Sequence, residues 1–86
     1  MTTLHLIFSA EGLQSCLGII QPEDVLLLIE DGVYAVLKDS ATRLHAIEVD
    51  LVARGLQDLH ADNVQRIDYT GMVELVARHQ PIVSWH

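Results

Sequence analysis

The sequence predicts an α/β fold, a three-layer sandwich in which helices flank a mostly parallel sheet of about five short strands. Residues 25–29 are all apolar, so the strand they form needs cover on both faces, as in a parallel sheet flanked by helices. Segments of strand character then alternate with segments of helical spacing along the chain. We expect residues 1–86 to form a single α/β domain with this strand at the middle of the sheet.

The first strand and the first helix are predicted near the N-terminus. Residues 4–8 form a short apolar strand, and Ser9 follows as a residue type that caps helices. The helix predicted over residues 11–20 ends before Pro22, because the residue before a proline avoids the helical region. Its apolar positions recur at helical spacing and predict one buried stripe: Leu13, Cys16, Leu17 and Ile20.

Two structures compete after the central strand, where Asp31 and Gly32 follow the apolar run. Asp-Gly between apolar segments is a strong hairpin signal, which would make residues 33–37 a returning antiparallel strand. Alternatively, Asp31 caps a helix whose apolar residues share one face. We favour the helix, because a strand buried on both faces normally continues into a crossover helix.

The next elements are a strand and a short helix. Residues 39–42 are predicted to form a turn, and residues 44–49 to form the third strand. Asp50 opens a short helix over residues 51–54. Gly55 ends that helix, because glycine adopts the left-handed conformation without a steric penalty.

The last helix is predicted between a fourth strand at residues 64–68 and a terminal strand at residues 82–85. Asp68 or Thr70 caps this helix, and Pro81 ends it. Its residues divide by helical spacing into an apolar stripe and a polar side, the first made of Tyr69, Met72, Val73 and Val76 and the second of Glu74 and Arg78.

The composition indicates a cytoplasmic protein with partners. Half of the residues are apolar and the mean hydropathy is +0.29, which is more apolar material than so small a domain readily hides. We therefore expect the chain to oligomerise, with itself or with related chains. No apolar stretch approaches the roughly 18 residues of a membrane span, and residues 1–5 lack the basic start of a signal peptide. The single cysteine fits a cytoplasmic location.

The charge of the chain disfavours nucleic acid as a direct partner. Twelve acidic and five basic residues give a net charge of -7. The cations are scattered along the chain as Lys38, Arg43, Arg54, Arg66 and Arg78. Because nucleic-acid binding depends on clustered cations that neutralise phosphates, we expect no direct binding of DNA or RNA.

Little in the sequence predicts catalysis or a cofactor. A glycine-rich phosphate loop and the Gly-x-Ser-x-Gly pattern of serine hydrolases are both missing. The five histidines lie too far apart in sequence to place two ligands on one helix face, so no metal site is predicted. Glu30 and Asp31 follow the central strand at the edge where open α/β sheets bind ligands, although a solvated acid and a helix cap explain them more simply.

Cys16 is the residue that suggests nucleophilic chemistry. A thiolate forms readily next to a cation or at a helix N-terminus. Cys16 instead lies about two turns into its helix, with no Lys or Arg near it in sequence. From its position on the apolar stripe we predict a buried packing thiol.

Four segments resemble segments of the TusB/DsrH family of sulfur-relay subunits and follow one another in the same order as in that family. They are residues 26–35, 50–56 and 67–73, and the pair 84–85. The resemblance implies a small α/β subunit of a cytoplasmic hetero-oligomer of the TusBCD or DsrEFH type, built from two copies of three related chains. In the Tus branch, such a complex relays persulfide sulfur toward 2-thiolation of the wobble uridine in certain tRNAs. In the Dsr branch, it passes sulfur during sulfur oxidation.

The same resemblance implies partners and a role. The partners are TusC- and TusD-like or DsrF- and DsrE-like subunits in a heterohexamer. A homo-oligomer is the alternative for the isolated chain. The principal sulfur-carrying cysteine belongs to a sister subunit, which implies a mainly structural, noncatalytic role here. Cys16 matches a position that is cysteine in DsrH-like members, so it is the candidate persulfide acceptor. Residues 8–10 replace a longer basic segment of relatives, and contacts through that segment are not expected.

Overall fold

Strands and helices alternate along the chain. The structure, a computed structural model, describes residues 2–38 and 42–86, so most of the predicted turn 39–42 lies outside the described residues. None of the helices in these ranges is long and apolar enough to cross a bilayer. The elements are, in order, β1 (Leu4–Ile7), α1 (Ala10–Leu17), β2 (Val25–Leu28), a 3-10 helix (Glu30–Leu37), β3 (Leu44–Ile47), α2 (Glu48–Ala53), β4 (Val64–Ile67), α3 (Tyr69–Arg78) and β5 (Ile82–Trp85).

The central strand of the sheet is β2, as its wholly apolar sequence predicts. The strand order is β4-β3-β2-β1-β5, and each neighbouring pair in the described chain is parallel. Leu27 and Leu28 point to opposite faces and both are fully buried, because helices cover the strand from both sides. The predicted α/β sandwich with a mostly parallel sheet is confirmed.

The two faces of the sheet are covered unequally. The chain forms β1 to β4 stepwise with α1, the 3-10 helix and α2 on the first face, and α3 then returns across the second face to β5. Right-handed crossovers require this path. Among the described residues, the core of the second face consists of Leu4, Leu27 and Ile47. The first face buries a larger group: Ile7, Leu13, Cys16, Leu26, Leu28, Val33, Ala35, Val36, Leu44, Ala46 and Leu51.

The segment after β2 is helical, so the hairpin alternative is wrong. It is a 3-10 helix whose N-terminal cap position is Ile29, and the prediction that Asp31 caps it is also wrong. The Asp31 carboxylate accepts a hydrogen bond from Arg54 instead. The helix starts where the backbone of Gly32 presses against β1: a Cβ on residue 32 would lie 1.9 Å from the carbonyl oxygen of Ile7. This close approach requires glycine.

Side chains cap α1 and α3. The Ser9 hydroxyl accepts a hydrogen bond from the Gly12 amide at 2.9 Å, as predicted. The Asp68 carboxylate accepts one from the Gly71 amide at 2.8 Å. Asp68, rather than Thr70, is therefore the cap of α3.

Some element boundaries differ from the prediction. The first helix ends at Leu17 rather than Ile20, because the chain turns at Gly18 before it reaches Pro22. β3 is shorter than predicted, and α2 begins directly after it, before its predicted start. Gly55 follows α2 with a left-handed φ of 73°, which confirms its role as the stop signal.

A buried chain of hydrogen bonds joins β1, the start of β2 and β5. The Trp85 indole nitrogen donates to Nδ1 of His5 at 3.0 Å, and Nε2 of His5 lies 2.9 Å from Oδ2 of Asp24. Because an indole N–H can only donate, the proton of the neutral His5 ring is on Nε2, which donates to Asp24. Asp24 also accepts amide hydrogen bonds from Thr3 and Gln21 at 3.2 and 3.0 Å. The hydrogen bond from His5 is the main reason that the pKa of Asp24 lies below its usual 3.8.

We predict that Gly32→Ala destabilises the fold by more than about 2 kcal/mol, because the added methyl overlaps the backbone of Ile7. Gly18→Ala is the matched control, since its nearest neighbour would be the Ser15 carbonyl oxygen at an ordinary 3.6 Å. The free energy of unfolding in urea measures both variants. Equal stability of the two would contradict the close packing of Gly32 on β1.

We predict that Asp24→Asn lowers stability at pH 7 by roughly 1 to 3 kcal/mol, because its amide would place a donor against donors. In the wild type, the pKa of Asp24 is lowered on folding. Its stabilisation is therefore complete above pH 3.8 and is lost as the pH falls through the folded value. The difference in the free energy of unfolding between wild type and variant, measured in urea, should become smaller below about pH 4. A difference that is constant with pH would refute this role of the carboxylate.

Candidate functional site

Large apolar side chains are exposed on several elements of the described chain. Isolated exposed apolar residues are ordinary in proteins, whereas a contiguous group of them marks an interaction surface. The exposed residues are Ile19, Tyr34, Leu37, Val49, Val52, Tyr69, Val73, Val76 and Ile82. Which of these residues are neighbours decides where a binding surface lies.

The apolar stripe predicted for α3 is not buried as a whole. Tyr69, Val73 and Val76 are 56%, 61% and 39% exposed, while Met72 packs on the second face of the sheet together with Leu75. At about 100° per residue, these five side chains are spread over an arc of about 160° around the helix axis. A helix that packs on a sheet buries only part of so wide an arc, so the rest stays exposed. The predicted polar side is exposed at Glu74 and Arg78.

The exposed stripe lies on the flank of α3 that faces away from β4. Gly71 faces β4, since a Cβ there would lie 3.0 Å from the Cβ of Ile67. Tyr69, Val73 and Val76 lie on the opposite flank, because each is rotated by roughly 140° to 200° from Gly71 about the helix axis. That flank looks toward β1 and β5, where no second helix of the described chain covers this face of the sheet.

The uncovered part of the sheet is apolar as well. Leu4 of β1 pairs with Ile82 of β5, so Leu6 and Ile82 point to the same face. Ile82 is exposed, and Leu6 and Ile29 are only partly buried at the margin of the second core. These residues lie on the same face of the sheet as the exposed flank of α3. We call the six residues together the apolar corner: Leu6, Ile29, Tyr69, Val73, Val76 and Ile82.

Cys16 lies on the other side of the sheet, at the centre of the first core. Its side chain is on the buried face of α1 with Leu13, and its exposed fraction is 0%. Burial, with a smaller contribution from the charge of Asp24, raises the pKa of the thiol to about 11. At pH 7 only about one such thiol in ten thousand is ionised. In this conformation Cys16 is a poor nucleophile and is closed to other molecules.

At the end of β2, the Asp31 carboxylate and the Glu30 backbone amide make contacts within the chain. Nε of Arg54 donates to Oδ1 of Asp31 at 2.9 Å, and the Arg54 guanidinium lies 3.9 Å from Asp50. The Glu30 amide donates to Asp50 at 2.7 Å, and Glu30 itself has a left-handed φ of 53°. These contacts join the start of the 3-10 helix to α2, so Asp31 has a structural role here.

The histidines are dispersed over the structure. His45 is half-buried on β3, and its Nδ1 has no hydrogen-bond partner in the described chain. Burial lowers the pKa of His45, a backbone hydrogen bond at Leu26 opposes that shift, and His79 adds to it. Nδ1 of His79 lies 2.7 Å from the carbonyl oxygen of Leu75. Within residues 2–38 and 42–86, no three His, Cys, Asp or Glu side chains cluster closely enough to hold a metal ion.

The cavity beside Arg66 offers little to a charged ligand. It measures about 430 Å³ and lies between the 3-10 helix, α2 and β4. The Arg66 guanidinium at its wall donates to the carbonyl oxygen of Leu59 at 2.6 Å and lies 3.2 Å from Glu48. Its donors are thus directed at the protein, and the apolar corner remains the surface best suited to binding.

Comparison with known proteins identifies the family. A sequence profile described as DsrH like protein matches residues 7–82. Among curated proteins, Protein TusB of Yersinia pestis (strain Pestoides F) is 39% identical, in an alignment that covers 85% of this chain and 86% of the relative. Protein TusB of Yersinia pseudotuberculosis serotype O:1b (strain IP 31758) matches with the same identity and coverage. The chain therefore belongs to the DsrH-like family, the TusB/DsrH family whose sequence segments it shares.

Proposed function

We propose that this chain is a noncatalytic subunit of a cytoplasmic sulfur-relay complex that supports 2-thiolation of the wobble uridine in tRNA. Its partners are TusC- and TusD-like chains in a heterohexamer. Membership of the TusB/DsrH family and the similarity to proteins named TusB support the relay. The structural character of the role rests on the two faces of the sheet.

The burial of Cys16 is the observation that carries the noncatalytic role. Sulfur passes between proteins when an acceptor thiolate attacks the outer sulfur of a donor persulfide. A new S–S bond then forms, the old S–S bond breaks, and the donor cysteine leaves as a thiolate. Cys16, the one cysteine of the chain, is fully buried with its pKa raised to about 11, so it lacks both the charge and the access that the attack requires.

The open second face supports the assembly role. A subunit whose function is to hold other chains needs an apolar surface that its own fold leaves uncovered. The apolar corner is such a surface, and it lies across the sheet from Cys16. The net charge of -7 fits contact with proteins better than direct contact with tRNA.

A second candidate is a sulfur carrier that uses Cys16 in a DsrEFH-type sulfur-oxidation complex. The match to the DsrH-like profile over residues 7–82 favours it, because this stretch includes Cys16, the candidate persulfide acceptor that the resemblance to DsrH-like members implies. In that role α1 would have to move away from the sheet to expose the thiol, since Cys16 packs in the first core. The two experiments that follow separate the candidates.

We predict that Cys16→Ala and Cys16→Ser leave tRNA 2-thiolation intact in a relay reconstituted from this chain, its sister subunits, a cysteine desulfurase, and a tRNA-thiolating enzyme supplied with ATP and tRNA. Cys16→Ser should be the less stable protein, by about 1 to 3 kcal/mol, because it buries a hydroxyl among apolar side chains. Mass spectrometry of tRNA nucleosides measures the product, and replacement of the sulfur-carrying cysteine of a sister subunit is the positive control. Loss of thiolation with the complex still assembled would make Cys16 a carrier.

We predict that the thiol of the native chain reacts with iodoacetamide at least about 100-fold more slowly than the thiol of the denatured chain, because reaction requires opening of the first core. Intact-protein mass spectrometry follows the reaction at pH 8 with and without denaturant. Native and denatured rates within a few-fold of each other would favour the carrier role.

A further inference from the structure

The second face of the sheet has room for one more helix. The five strands that the structure describes span about 24 Å at about 4.8 Å per strand, whereas one helix with its side chains is about 10 Å wide. α3 therefore covers about half of this face. The gap lies over β5 and the C-terminal half of β1, since Leu4 is fully buried whereas Leu6 is partly buried and Ile82 is exposed. The apolar corner is its lining. A helix from another polypeptide is the element that fits this space.

The edge next to the corner is acidic. At the C-terminal ends of β2, β3 and β4, the described chain carries a group of carboxylates: Glu30, Asp31, Glu48, Asp50 and Asp68. Arg54 and Arg66 are the cations nearby, and both are already bound within the chain. Glu30 directly follows Ile29, and Asp68 directly precedes Tyr69, so each borders the corner, and neither is in an ion pair within the described residues.

The acidic edge indicates whether a second copy of this chain or a different chain binds at the apolar corner. Two copies packed through the same corner would bring two acidic edges together, within the Debye length of about 8 to 10 Å. Each copy also carries a net charge of -7, which opposes self-association. A different chain with Lys or Arg beside an apolar stripe would instead neutralise Glu30 and Asp68 while it covers the corner.

We propose that the apolar corner is the docking site for an amphipathic helix of a different polypeptide, whose apolar stripe is flanked by basic residues. The inference rests on the proposed function only in taking that polypeptide to be a sister subunit of the relay. The helix completes the second layer beside α3 and contacts Val73 and Val76 on one side and Leu6 and Ile82 below.

The test is a pair of matched charge insertions. Val73→Asp lies in the corner, and Val52→Asp lies on α2 outside it, at a similar exposure of 50% against 61%. Each variant is coexpressed with the proposed TusC- and TusD-like sister chains and analysed by size-exclusion chromatography with light scattering. Circular dichroism of each isolated variant verifies the fold. We expect Val73→Asp to weaken assembly at least 10-fold and Val52→Asp to assemble like the wild type.

The possible results separate the docking site from the function. If Val73→Asp assembles as well as Val52→Asp, the corner is not the docking site and the relay function stands. If the wild type binds neither sister chain, the proposed function fails and the partner named here fails with it. The wild type alone should elute with the mass of a monomer, because the acidic edges of two copies repel each other. A homodimer that Val73→Asp dissociates would show that a second copy occupies the corner, which overturns the proposal.

A second pair of variants tests the charge of the partner. Glu30→Lys reverses a carboxylate at the rim of the corner, and Glu23→Lys reverses an exposed one at the opposite edge of the sheet. We expect Glu30→Lys to slow association with the sister chains about 3- to 10-fold with little change in dissociation, and Glu23→Lys to have a smaller effect. Surface plasmon resonance measures both rates. Faster association of Glu30→Lys would show that the partner is acidic and would refute the proposal.

Discussion

The structure depends on the need of a buried parallel strand for apolar cover on both of its faces. β2 has no polar face, so its side chains lose contact with water only when layers close above and below it. The connections between the strands supply those layers unequally. The three connections from β1 to β4 step in one direction across the sheet and place α1, the 3-10 helix and α2 on one side. The connection from β4 back to β5 steps in the other direction and places α3 on the other side. The properties of both faces follow from this asymmetry.

The well-covered face and the open face suit different roles. On the first face, packing encloses Cys16 and keeps its thiol protonated, which suppresses the chemistry that the residue type suggests. On the second face, the same topology leaves an apolar flank of α3 beside uncovered strand residues. In the proposed role, the open face binds other chains and a sister subunit carries the sulfur.

Much of the fold could be predicted from the sequence, because its signals are local. The apolar run of β2, the Ser9 cap and the left-handed Gly55 each act through residues next to them in sequence, and the structure confirms all three. The prediction that Asp31 caps a helix is wrong because its partner, Arg54, is distant in sequence and local patterns do not indicate it. The hydrogen bonds that link Trp85, His5 and Asp24 are not predictable from local patterns for the same reason, since His5 and Trp85 are 80 positions apart and His5 and Asp24 are 19 apart.

The candidate site was only half predictable. The composition indicated more apolar surface than the fold can bury, and the wide apolar arc of α3 indicated one side of the apolar corner. The other wall needs β5 to lie beside β1, which is a pairing of residues about eighty positions apart. By itself, the sequence determined the elements, the class of the fold and the family, because periodicity, caps and local segments are written in consecutive residues. The position of Cys16 on the apolar stripe of α1 also indicated its burial, which the structure confirms. Only the tertiary structure decided which apolar residues are left uncovered, because that depends on which elements pack together.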